Sequence, residues 1–324
     1  MRTVRLRFGL LTAFWLAALI AAPLLGKHVI GLAAVLGPGS AEHVIFWHIR
    51  LPRVLLALAA GGALAASGLA FQTLFRNPLA EPYTLGVASG AALGAVAAIE
   101  LGAGGATLLG LSSVGVSSFA GAALVSLLIL GLAARRRFTT ATLLLAGIAM
   151  SLTCSALILF LQYRADFTQS FRMVRWMMGG LAVVGYREVL WLAPWVVAGL
   201  AVLLSLRWDL NLLLTGEEVA ASRGVDLSRV RWLVLLAASG MVGALVAVVG
   251  PIGFVGLIVP HILRGWLGHD HLLLLPACVL GGGAFLALCD LVGRTVIAPA
   301  ELPVGVVTAL LGGPFFLWLL LTRR

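Results

Sequence analysis

Residues 47–94 read WHIRLPRVLLALAAGGALAASGLAFQTLFRNPLAEPYTLGVASGAALG. Arg50 and Arg53 stand at the head of an apolar run from Val54 to Phe75. Roughly 20 apolar residues suffice to cross a bilayer as a helix. A polar elbow follows, Arg76 to Pro82, and a second apolar stretch leaves it carrying Gly86, Gly90 and Gly94. Glycine at every fourth position lays a smooth strip along one helix face, where a neighbouring backbone can approach. The stretch predicts a transmembrane hairpin built for close helix packing.

The rest of the chain agrees with that reading. Of its 324 residues 61% are hydrophobic and only 10% are charged, against about 25% charged in a soluble domain. Apolar runs of membrane length repeat throughout, so the expected class is an all-α polytopic membrane protein in one domain, residues 1–324. An outer-membrane barrel would instead show alternating segments of about ten residues. The net charge of +10 is spread in short clusters between apolar runs. That is not the basic patch with interleaved aromatics of a nucleic-acid binder.

Ten spans are expected. The first is within residues 1–26, read as a retained helix rather than a cleaved signal peptide, because its apolar part is long for that role. The others fall near 54–75, 84–102, 114–134, 141–162, 189–206, 232–250, 252–266, 271–292 and 303–321. Residues 163–188 read as a mixed segment. With the N-terminus inside, 14 of the 22 basic residues fall on the inner side, as the positive-inside bias requires. Both termini then lie in the cytoplasm. The eight outer basic residues are more than that bias favours. Five spans per half would give halves of opposite orientation, as in many transporters with inverted repeats.

Residues 207–231 read RWDLNLLLTGEEVAASRGVDLSRVR. Thr215 followed by Glu218 has the spacing of a capping box, and Leu214 with Val219 that of a hydrophobic staple. Glu217 and Glu218 fall where a helix dipole favours negative charge, and Gly224 is a natural stop. A two-turn helix with almost no core of its own is marginal alone. The reading is therefore either an ordinary surface loop or a docking helix for another protein. A second short turn is expected over 227–231.

Several chemistries are missing. A phosphate-binding loop needs Gly-Lys followed by Ser or Thr. The one lysine, Lys27, is followed by His28, so any ATP used must be hydrolysed by another polypeptide. There is no G-x-S-x-G and no H-E-x-x-H. Cys154, Cys278 and Cys289 lie in apolar runs without metal spacing and read as small core residues. Asp290 and Glu100 lie near helix ends, and the scarcity of membrane-embedded carboxylates argues against a proton- or sodium-coupled carrier. A secondary transporter, and more remotely a channel or an intramembrane enzyme, stay as alternatives.

An ordered set of blocks gives a family resemblance: RLPR, Gln72, RNPLAEPYTLG, LLLAGIAMS (143–151), WMMGGL (176–181), GEEVAASRGV (216–225), GPIGFVGLIVPHILR (250–264) and AELPVGVVTALLGGPFFLWLL (300–320). Together they resemble the FecCD-type permeases, the membrane subunits of type II ABC importers for iron–siderophore chelates, haem and vitamin B12. The vitamin B12 branch is nearest over the last third. The resemblance implies a ten-helix subunit pairing with a second copy of itself. It implies two ABC ATPase subunits below and a periplasmic or lipoprotein substrate-binding protein above, in a bacterial inner membrane. No cofactor is expected on this chain; ATP and magnesium would sit on the ATPase. By resemblance the coupling segment is about 214–229, with Thr215, Gly216, Glu217, Glu218, Ala221, Arg223 and Gly224 facing the ATPase. Arg50, Arg53 and Arg294 match outer-face arginines that pair with acidic groups of the binding protein; the plain alternative is headgroup anchoring. Thr139, Thr140, Ala141 and Thr142 match the cytoplasmic gate, where helix capping is an equally simple role for each threonine. Trp176 to Gly180 would line the outer mouth. An iron chelate is the default substrate, with cobalamin or haem as alternatives.

Overall fold

The computed structural model describes residues 2–26, 28–37, 39–103, 107–108, 111–133 and 140–322. Among them the chain is almost wholly helical: α1 Arg2–Leu24, α2 Leu32–Leu36, α3 Ala41–Ile45, α4 Leu51–Leu74, α5 Val87–Glu100, α6 Ser113–Ala133, α7 Thr140–Arg164 and α8 Phe167–Met177. Then come α9 Arg187–Ser205, α10 Arg207–Leu213, α11 Glu217–Ser222, α12 Leu227–Val249, α13 Val255–Leu267, α14 His271–Thr295 and α15 Val304–Thr322. A two-residue pair of strands, Thr107–Leu108 with Leu111–Ser112, precedes α6.

Seven segments are long and apolar enough to cross a bilayer, α15 is as long as the shortest of them at 19 residues, and two apolar helices are shorter: Val87–Glu100 and Val255–Leu267. The ten expected spans are thus not ten equal helices. The shortening has a local cause at α5 and α13. A single 3-10 turn, Pro82–Leu85, and then Gly86 at φ +77° precede α5. Phe254 at φ +69° precedes α13. Left-handed residues cannot continue a right-handed helix, so each helix starts late.

Some of the chain folded into more helix than the pattern suggested. The mixed segment 163–188 contains α8, nucleated by Asp166: its carboxylate accepts the Gln169 N–H at 2.7 Å, while the Gln169 side chain receives the Asp166 N–H. The expected separate turn over 227–231 is the start of α12, because Asp226 caps it through the Arg229 N–H at 3.0 Å.

The core is a seam of small residues between α4 and α14, which run antiparallel. A Cβ at Gly61 would overlap the Gly282 carbonyl, and one at Gly283 would come within 2.7 Å of the Leu58 carbonyl. Helix α13 crosses α4 where Gly68 meets Gly256 backbone to backbone. The strip expected on α5 packs on α6: side chains at Gly90 and Gly94 would run into the carbonyls of Gly121 and Ser117, and Gly86 faces Gly147 of α7. Without a solvent-driven force between apolar helices, such close backbone contact is what holds them.

Candidate functional site

The exposed end of the molecule that carries α10 and α11 is built on two buried leucines. Leu210 and Leu213 seat α10, and Ala220 and Val225 anchor the six-residue α11. Glu218, Val219, Ala221, Ser222, Arg223 and Gly224 face outward. Glu217 pairs with Arg231 of α12 at 3.6 Å. The capping box expected from Thr215 and Glu218 does not form. Thr215 still belongs to the exit turn of α10, so its hydroxyl donates to the Leu212 carbonyl at 2.8 Å. Gly216 takes the cap position at φ +120°, a conformation open to glycine. Gly224 ends the stub at φ +87°, as its position suggested. The two glutamates do occupy the first turn of α11, where the helix dipole favours them. The result is a small, acidic, outward-facing helix fixed at both ends by glycine.

Behind this stub lies a polar network, exposed at Asp270 and buried at Gln72, Thr73 and His271, that sequence reading did not connect. Asn211 of α10 donates to Asp270 at 2.8 Å and accepts both the backbone N–H of His271 at 2.9 Å and its ring Nδ1 at 2.7 Å. The other ring nitrogen of His271 lies 2.8 Å from the Thr73 hydroxyl of α4. Next door, Gln72 donates to the Gly256 carbonyl and accepts from Arg264 of α13, both at 3.0 Å. Asp270 also caps α14 through the Leu272 N–H. The Asn211 hydrogen bond, followed by that from Leu272, holds the Asp270 carboxyl below the usual carboxylate range. In the sequence these residues are one asparagine, one threonine and a histidine in a short loop, with no periodicity to connect them.

At the opposite end, Arg50, Arg53 and Arg294 all come close together, but each guanidinium is already engaged. Arg53 grips Asp290 through Nε and Nη2 at 2.8–3.0 Å and reaches Glu301 at 2.8 Å. Arg294 approaches Asp290 at 3.1 Å and donates to the Ala22 carbonyl. Arg50 donates to the carbonyls of Pro23, Leu24 and His28. Arg53, Asp290 and Arg294 are buried; the side chain of Glu301 is 50% exposed. Arg164, exposed, pairs with Glu100 at 3.6 Å. Two of the arginines expected on the outer side, Arg53 and Arg294, are thus neutralised inside the molecule. The i,i+4 spacing of Asp290 and Arg294 was the one signal of this cluster available in the sequence.

Of the gate positions, Thr139 lies outside the described residues, and of Thr140 only the backbone is described. Ala141 and Thr142 sit in the first turn of α7, exposed and half-buried respectively. The segment ending at Gly180 meets the loop before α13 and the start of α15. The Gly180 N–H donates to the Val249 carbonyl at 2.7 Å, and Gly179 and Gly305 both lie against the Pro251 carbonyl. A cavity of about 430 Å³ opens beside this junction, lined by Ser113, Arg172, Arg175 and Trp176 among others.

The comparisons with known proteins agree with this architecture. The FecCD transport family matches residues 10–322. The vitamin B12 import system permease protein BtuC of Shigella boydii serotype 18 is 42% identical over 314 residues, covering 97% of this chain and 94% of its own length. The protein of the same name from Escherichia coli O9:H4 is 41% identical over 278 residues, covering 86% of this chain and 84% of its own. Among solved structures, a chain of an ABC transporter assigned to the metal-chelate type, in an inward-facing conformation, superposes with a TM-score of 0.86. It is 33% identical, and the match covers 98% of this chain and 99% of the other. A membrane bundle with an outward-facing stub helix at one end, matched over its whole length in this way, places the chain in the FecCD transport family.

Proposed function

We propose that this chain is the membrane-spanning permease of an ATP-driven ABC importer that moves a metal-organic chelate into a bacterial cell. The observation that carries the reading is the exposed acidic stub α11 on a chain with no phosphate-binding loop of its own. Such a helix buries too little to be stable alone, and it offers a separate ATPase a surface to push on. The near full-length matches to import permeases support the same conclusion.

The finer points of the proposal are these. Helices α5 and α13 each complete a crossing with the non-helical residues before them, and α15 crosses by itself, which brings the number of spans to ten. Both termini and α11 lie on the cytoplasmic side of the inner membrane. Two copies pair around the translocation path, two ATPases dock on α11, and a binding protein docks on the opposite end. Arg50, Arg53 and Arg294 take part there by exchange: an incoming carboxylate takes the place of exposed Glu301 on Arg53. The cargo is cobalamin by the names of the curated relatives; an iron chelate, the default from sequence, is the second reading and is favoured by the metal-chelate transporter structure.

The test is reconstitution in vesicles with the cognate ATPase and binding protein and a panel of labelled cobalamin, haem and iron–siderophores. Uptake of one class, strictly dependent on ATP and on both partners, is expected. Accumulation by the permease alone would overturn the proposal.

A further inference from the structure

Helices α4 and α14 are joined at both ends and along the middle. Arg53 with Asp290 closes one end, Thr73 with His271 closes the other, and Gly61 against Gly282 lies between. Twenty residues of α4 separate the two polar ends, about 30 Å at 1.5 Å per residue. The pair is a strut crossing the membrane, and Asn211 is a polar side chain that, beside the buried Leu210 and Leu213, fastens α10, and with it the stub, to the strut's foot.

The donors and acceptors that face one another set the sense of these hydrogen bonds. The backbone N–H of His271 needs an acceptor and the Asp270 carboxylate needs a donor, so the Asn211 amide has one orientation. Its oxygen also faces His271 Nδ1, which must therefore carry the proton. In the neutral ring Nε2 is then an acceptor, so the Thr73 hydroxyl, which also lies 3.0 Å from the Leu69 carbonyl of its own helix, turns its one proton to the ring at 2.8 Å. His271 is only 1% exposed and its bond to Thr73 is buried, so water cannot take over that link once it is broken. Gln72, one residue before Thr73, ties in α13 through Gly256 and Arg264.

We infer that Asn211, His271 and Thr73 are positioning residues that transmit displacement of α11 to the α4–α14 strut, and so link ATP use to opening of the path. The inference rests on reading α11 as the ATPase-docking helix. The ATPase itself touches none of the three: Thr73 and His271 are buried, and Asn211 lies before the stub and turns inward.

The test uses the complete complex with its binding protein, in vesicles. ATPase affinity for the permease, ATP hydrolysis and cargo moved per ATP are measured separately. Thr73→Val keeps the shape and removes the donor. It is expected to leave affinity and hydrolysis unchanged while cargo per ATP falls about fivefold, the factor that one net hydrogen bond of about 1 kcal/mol is worth. Thr73→Ser should restore the wild-type ratio. Asn211→Ala should reproduce the defect from the other end of the chain. The double variant should be no worse than either single change, because one connected chain is cut only once. An unchanged ratio in both single variants overturns the inference, as does Thr73→Ser failing like Thr73→Val, or a double variant whose losses add. Should Thr73→Val not fold, half-buried Asn211→Ala carries the test by the same criteria. The docking reading fails separately: it falls if joint replacement of the exposed stub charges leaves ATPase binding and transport intact.

Discussion

Asp290 holds two arginines at once, and that makes it the most sensitive charge in the described structure. It is 2% exposed, with Arg53 gripping both its oxygens and Arg294 at 3.1 Å. Removing one partner of a buried ion pair leaves the other charge uncompensated, at about 3–5 kcal/mol. Asp290→Ala is therefore expected to lower the unfolding temperature of the detergent-solubilised permease sharply. Glu301→Gln, at the half-exposed end of the same cluster, should shift stability by no more than about 1 kcal/mol. Equal effects of the two would show that burial does not set the energetics here. Charge reversal at Arg53 or Arg294 would confound docking with folding for the same reason, so Glu301 is the residue on which to test the outer end.

Among the elements, α5 and α11 depend on different forces. Helix α5 is only 14 residues long and is held by backbone contact with α6 at Gly90 and Gly94. A side chain at Gly94 has nowhere to go, since the obstruction is the Ser117 carbonyl and not a movable side chain. Gly94→Val should abolish the monodisperse folded peak in size-exclusion chromatography, while Gly131→Ala on α6, with nothing near its Cβ position, should be neutral or slightly stabilising. Helix α11 is different, because its outer face is exposed among the described residues. Replacing Glu217, Glu218 and Arg223 together with alanine should leave the permease folded yet lower ATPase stimulation and transport severalfold. Because Glu217 also pairs with Arg231, a thermal unfolding measurement must accompany that assay; the half-exposed pair should account for less than about 1 kcal/mol.

For the molecule as a whole, the sequence by itself determined the class, the approximate spans, the need for an outside source of ATP hydrolysis, and the stub between 214 and 229. These follow from composition and local periodicity, because a bilayer demands long apolar helices and a short capped helix announces itself within a few residues. The glycine strip on α5 was visible for the same reason. The late starts of α5 and α13 were not, because the left-handed conformations of Gly86 and Phe254 are set by their neighbours in space. The cap on α11 was misplaced because it depends on where the unforeseen α10 ends. Only the tertiary structure decided that Arg53 and Arg294 are internally paired, Arg53 with Asp290 and Glu301 some 237 and 248 residues away. It alone brought Asn211, His271 and Thr73 into one chain of hydrogen bonds. A lone polar residue in an apolar run carries no record of its partner: hydrogen-bond geometry is fixed by which helices pack, and packing here is governed by small-residue contacts distant in sequence.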